Sequence, residues 1–250
     1  MKRPALKKGV PFLLLLASFW LVAIPGPAAT PPAPVASQLN QWSSQAALLE
    51  QQRNWPELLK HSFRWSRAIP NDHQAWFNMG LAQEQLALAD KAMGSYRQAL
   101  RLNPQFAPAW YNLGVLLREA GRTNEAIEAT RRAAEAAPEM KEAWYNLGVL
   151  HGQAGQSDQE IAAYQRLLTI APDFAPAWLN LGAAHGNAGR LAEAIIALER
   201  AVELAPRQPK ALLALGSAYA ASGQTVKAGE ILQLLRPLSP QLADQLADLL

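Results

Sequence analysis

Tryptophan recurs every 34 residues, at Trp42, Trp76, Trp110, Trp144 and Trp178, and Leu212 takes the sixth place. Pro70, Pro104, Pro138, Pro172, Pro206 and Pro240 keep the same interval without an insertion. A fixed period of this length means that one supersecondary unit is repeated, and that no single unit hides its apolar face alone. The chain must therefore fold as a stack in which neighbours supply one another's core.

Small residues inside the period show what the unit is. A Leu-Gly pair follows the Trp at Leu113-Gly114, Leu147-Gly148 and Leu181-Gly182, recurs as Leu215-Gly216, and is Met79-Gly80 in the second unit. Glycine there lets a neighbouring helix come close. A second glycine stands seven residues on, at Gly121, Gly155, Gly189 and Gly223, where a first helix has to stop in a left-handed turn. Asp90, Asn124 and Asp158 then fall where a second helix is expected to be capped. Ala92, Ala126, Ala194 and Ala228 mark a tight helix crossing, and the proline closes the unit. The spacing predicts an all-α protein of helix hairpins.

Taken together, W-x-x-L-G followed by Gly, Ala and Pro at these offsets resembles the tetratricopeptide repeat family. Six units are assigned, 39–72, 73–106, 107–140, 141–174, 175–208 and 209–242, with a capping helix over 241–250. Unit 39–72 is divergent, with Gln45-Ala46 in place of Leu-Gly. Ala87 replaces the turn glycine of its unit, and Glu160 stands at a small-residue crossing position.

The resemblance implies an α-solenoid, a right-handed superhelix with first helices on its concave side. It implies that the Trp column is structural core, packed between the two helices of each unit. It implies a groove rather than a pocket, and so an extended protein or peptide segment as partner. Candidate groove residues are the aromatic row Phe77, Tyr111 and Tyr145, the amide row Asn78, Asn112, Asn146 and Asn180, and Val115 and Val149 one turn on. An amide offers donor and acceptor together, which suits a peptide backbone. Asn is also common at this place in the repeat, where it ties units together. The basic side chains with which some relatives clamp a C-terminal carboxylate are missing, because those places hold Phe77, Leu81, Tyr111, Val115, Glu142 and Asn146.

Residues 1–9 are basic and residues 10–24 are apolar, and Pro25, Gly26 and Pro27 precede Ala28 and Ala29. This is the order of a secretory signal, so 1–29 is read as a signal peptide or, if retained, a membrane anchor. Residues 30–38 are Pro- and Ala-rich and read as a linker. Four of the 23 basic residues lie within the first eight, and no acid precedes Glu50. The rest of the chain carries 19 bases against 20 acids, which gives no footprint for nucleic acid.

No cofactor, metal site or catalytic motif is expected. Cysteine is absent, and His151 and His185, at one offset in adjacent units, read as packing residues rather than ligands. The expected function is therefore a non-enzymatic interaction scaffold in a bacterial envelope, periplasmic or anchored at the inner membrane. A glycan-handling module and a structural subunit of a membrane-anchored complex are the alternative readings.

Overall fold

The computed structural model describes residues 33–250. The signal or anchor reading of 1–29 lies outside the described residues. Gln41–Leu250 forms one compact unit and carries the repeats. Thirteen helices and no strand occur among the described residues. They are α1 Ala33–Gln51, α2 Trp55–Ala68, α3 His73–Gln85, α4 Ala89–Leu102, α5 Ala107–Glu119, α6 Thr123–Ala136 and α7 Lys141–Gln153. There follow α8 Ser157–Ile170, α9 Ala175–Asn187, α10 Leu191–Leu204, α11 Pro209–Ala221, α12 Thr225–Leu235 and α13 Pro240–Ala247.

Within the array, α3 packs on α4, α5 on α6, α7 on α8, α9 on α10 and α11 on α12. Each second helix also packs on the first helix of the next unit, and α9 touches α11 directly. The result is an all-α solenoid of stacked hairpins. The buried stripe of α5 shows why. Leu113, Leu116 and Leu117 fall on one face at helical spacing, and Ala126 and Ala129 of α6 meet them. Small side chains on α6 allow the two axes to approach. At α7 the space that Gly148 leaves is filled by a ring instead, since a Cβ there would lie 2.6 Å from the Tyr164 ring of α8.

Each first helix ends in the same turn. After α5, the Gly121 N–H donates to the Arg118 carbonyl and the Arg122 N–H to the Leu117 carbonyl. This is a Schellman arrangement, and Gly121 adopts φ of 72°. Two units make the same turn without glycine, at Arg53 with φ of 52° and Ala87 with φ of 58°. A β-carbon in the left-handed region costs about 1–2 kcal/mol. Ala87→Gly is therefore expected to stabilise the protein by about 1 kcal/mol, after the entropy glycine adds to the unfolded chain is offset. Urea unfolding measures it, and a loss of stability would mean that the turn is not strained.

Four expectations need correction. The linker read over 30–38 is already helical from Ala33 onward; a proline in the first helical turn removes a donor that has no partner there anyway. Asp90, Asn124 and Asp158 are not N-caps. The capping positions are Leu88, Arg122 and Gln156, without side-chain cap bonds, because the Schellman turn runs straight into the next helix. The acids sit in the first turn instead, where the helix dipole favours them.

The Trp column is the third correction. Trp76, Trp110, Trp144 and Trp178 are only partly buried and lie at the margin of the core. Each indole N–H donates to the proline carbonyl six residues earlier, at 3.4 Å from Pro70, 2.8 Å from Pro104, 2.9 Å from Pro138 and 2.7 Å from Pro172. A large indole needs an acceptor, and the free carbonyl is in the loop between units, so the ring staples that loop. In the first unit, Trp42 stacks on Trp65 with ring centres 6.4 Å apart, and Trp65 is the fully buried one. The fourth correction concerns the cap. Its helix, α13, covers Pro240–Ala247 and buries Ala243 and Leu246, whereas Leu249 is exposed.

Candidate functional site

The amide row is not uniform, and the reason lies 16 residues earlier in the chain. Asn112 of α5 donates through Nδ2 to the Tyr96 hydroxyl of α4 at 3.1 Å. Asn180 of α9 donates to the Tyr164 hydroxyl of α8 at 3.2 Å, and to Tyr145 of α7 at 3.2 Å. In both cases the amide joins the first helix of one unit to the second helix of the unit before. The residue at the same offset before Asn146 is Thr130, whose short side chain lies against Gly114 instead. The Asn146 side chain makes no hydrogen bond among the described residues, and lines an open concavity. Asn78 is buried, and Ser62 stands at its matching offset. The expected ladder of four available amides thus reduces to Asn146.

The aromatic row is half-buried and held by edge contacts. The Phe77 ring meets Phe106 at 5.1 Å and nearly perpendicular. Two units later, the Tyr145 ring meets Phe174 at 5.7 Å in the same manner. Phe106 and Phe174 precede the first residues of α5 and α9, so they lie at the groove margin; neither was among the expected site residues. Between these pairs, Tyr111, Tyr145, Asn146 and Phe174 line a dimple of about 150 Å³, with Lys141 and Glu142 at its edge. Leu179 continues the row, and Val115 is half-buried on α5. Val149 lies one turn beyond Tyr145, in a neighbouring pocket of about 280 Å³ between α7 and α9.

Carboxylates beside the tyrosine hydroxyls are perturbed. Glu84 accepts from the Tyr96 hydroxyl at 2.6 Å, and burial pushes the Glu84 carboxyl above its usual range, opposed by that hydrogen bond. Burial also raises the carboxyl of Glu160. Both Tyr96 and Tyr164 are held well above the ordinary phenol range, chiefly by burial. Tyr219, which donates to Glu199 at 2.5 Å, is pushed up to about 12, first by burial and then by that bond. These phenols stay protonated at neutral pH and act as donors and acceptors, not as nucleophiles.

Among the described residues, no group of three His, Asp or Glu is placed to hold a metal ion. His151 bonds Gln156 at 2.6 Å, and His185 is buried. No described helix is long and apolar enough to cross a membrane. A second concavity, of about 710 Å³, lies between α4 and α6, with Trp110 and Leu113 in its floor and Arg101 and Glu128 on its rim. Sequence reading did not find it, because it depends on how far apart two second helices stand.

A stack of helix hairpins with a lined concavity along its first helices defines a repeat solenoid. Models of the tetratricopeptide repeat match residues 77–139, 111–176 and 187–250. The chain belongs to the tetratricopeptide repeat family. Among solved structures, that of YrrB, described as a TPR protein with an unusual peptide-binding site, is 22% identical. It matches with a TM-score of 0.69 over 75% of this chain and 97% of its own. PilF of Pseudomonas aeruginosa is 16% identical, with a TM-score of 0.65 over 84% of this chain and 96% of its own. MamA from Desulfovibrio magneticus RS-1 is 20% identical, with a TM-score of 0.61 over 67% and 95%. At these identities the likeness shows the fold. No curated protein matches the sequence significantly.

Proposed function

We propose that the protein is a non-enzymatic interaction scaffold that holds an extended segment of a partner protein along its first helices, centred on α5 and α7. The observation that carries this is the dimple lined by Tyr111, Tyr145, Asn146 and Phe174. It combines apolar ring surface with the one amide of its row that is both partly exposed and free of side-chain hydrogen bonds among the described residues. A peptide unit needs that combination, because its N–H and C=O have to be satisfied once water is displaced. The peptide-binding site named for YrrB supports the reading. We place the protein outside the cytoplasm, in the bacterial envelope, on the order of charge and apolarity in residues 1–29.

A pull-down from envelope extract tests it, with the full chain beside the double variant Tyr111→Ser, Asn146→Ala. Both are first brought to equal folding by circular dichroism. The expected result is a partner held by the parent and reduced at least tenfold with the variant. A partner kept equally by both would overturn groove binding and move the interface to the α4–α6 cleft.

A further inference from the structure

Unit 141–174 departs from the others at Glu160, and the residue facing it has no side chain to block it. Glu160 of α8 takes the crossing position that is Ala92, Ala126, Ala194 or Ala228 elsewhere. Opposite it, α7 carries Gly152, and a Cβ there would lie 2.7 Å from the Glu160 Oε1. The equivalent positions are Glu84 and Arg118 in the two preceding units and Gly186 and Ala220 in the two following ones, where the crossing residue opposite is alanine. The missing side chain on α7 therefore makes the room into which the carboxylate of α8 reaches, between two first helices.

The pocket it enters is polar and uncharged apart from Glu160, and Tyr164 lines it with a hydroxyl that accepts from Asn180. Asn180 has both contacts of its Nδ2 spent on Tyr145 and Tyr164, which leaves its Oδ1 available. Asn187 lines the same pocket from α9, with Val149 and Ala183 as apolar walls. Glu160 itself has no ion-pair partner and no hydrogen-bond donor among the described residues, and no cationic side chain lines the pocket. A half-buried carboxylate without a counter-charge is costly, and the missing charge defines its complement.

We propose that this pocket receives a cationic side chain, lysine or arginine, from the segment lying in the neighbouring dimple. Val149 and Ala183 would flank the methylene stem while Glu160, Asn180 and Asn187 accept from the charged head. The inference rests on the groove reading above. Tyr145 belongs to the dimple, and Gly152 to the pocket, seven residues along α7 or about 10 Å. An extended segment covers that distance in about three residues. The sequence selected should thus carry a basic residue about three positions from an apolar or aromatic one.

A random 12-residue peptide library, selected on the immobilised full chain, tests this. The selected peptides are then measured against the full chain, Glu160→Gln and the double variant Tyr111→Ser, Asn146→Ala. The expected result is a pool enriched in lysine or arginine at that spacing, weakened at least tenfold by Glu160→Gln and also by the double variant. Peptides weakened by the double variant but neither basic nor sensitive to Glu160→Gln would overturn the cation pocket and leave the groove reading standing. Peptides indifferent to both variants would overturn both.

Glu160→Gln keeps the side chain's shape and removes a buried charge. The Glu160 carboxyl is raised from 4.5 in the folded state, so the parent loses stability as pH rises through the raised value, and the variant should melt no lower at pH 7. A direct check uses n-butylammonium as the probe. It should shift the amide NMR signals of Gly152, Ala183 and Asn187 in the parent and not in Glu160→Gln. Equal shifts in both proteins would also overturn the proposal.

Discussion

Tyr164→Ala is expected to cost about 3–5 kcal/mol and to open the array in its middle. Tyr164 is 1% exposed, and its ring fills the space that Gly148 leaves on α7. The ring also stands 6.0 Å from Tyr145, and its hydroxyl accepts from Asn180 of α9. One side chain thus connects α7, α8 and α9. Truncation leaves a cavity that the glycine cannot fill, and it frees an amide that had been tied.

Solenoid stability is a sum over units and the interfaces between neighbours, so the loss should appear locally. Amide exchange should quicken in α7–α9 before it does in α3–α5. Tyr164→Phe separates the contributions, since it keeps the ring and removes only the hydroxyl, at about 1 kcal/mol. Urea unfolding measures both variants. If Tyr164→Ala costs no more than Tyr164→Phe, the ring is not core and the description of this seam fails.

The period of 34 made the fold legible, because position-by-position agreement over several units leaves few alternatives to a stack of hairpins. The site was legible only in part. Asn78, Asn112, Asn146 and Asn180 look equivalent when each is compared with its own unit. Their difference lies in the residue 16 places earlier, which is Ser62, Tyr96, Thr130 or Tyr164. That residue belongs to the unit before, so a reading made within units does not reveal it. The Trp column misled for a related reason. Periodicity shows that an indole is required at Trp110 or Trp144, but not whether the ring is enclosed or lies over a loop carbonyl. Glu160 was visible as an exception, yet its orientation became clear only with Gly152 facing it. Arg53 gave no signal at all, because its left-handed turn is imposed by the stack on a residue that does not favour it.

The same offset rule yields the second large effect, and with it a way to separate stability from binding. Thr130→Tyr is expected to leave stability within about 1 kcal/mol and to weaken partner binding at least tenfold. Gly80 seats the Tyr96 ring and Gly148 the Tyr164 ring, each with its would-be Cβ 2.6 Å from a ring carbon. Gly114 faces Thr130 instead, and there α6 itself comes closer: a Cβ on Gly114 would lie 2.5 Å from the Thr130 Oγ1, 3.3 Å from its backbone nitrogen and 3.5 Å from the Ala126 carbonyl oxygen. A tyrosine in place of Thr130 would meet Tyr111 at the chain spacing at which Tyr96 meets Phe77 and Tyr164 meets Tyr145.

Burying a ring in place of a short hydroxyl side chain gains about 2 kcal/mol on apolar area alone. Overpacking normally costs about 1–3 kcal/mol. Two units already accommodate the ring opposite glycine, but at Gly114 the backbone of α6 has to give way first, so gain and cost should nearly offset. The new hydroxyl would stand 16 residues before Asn146, where Tyr96 and Tyr164 stand before Asn112 and Asn180, and would take the amide out of the groove. Thermal melting and affinity for the selected peptides, measured on one preparation, decide it. Near-equal stability with weaker binding would make Thr130 the residue that keeps Asn146 available to a partner. Near-equal stability with unchanged binding would show that the amide takes no part in recognition, and a loss beyond about 3 kcal/mol would show that this seam is too tight for a ring.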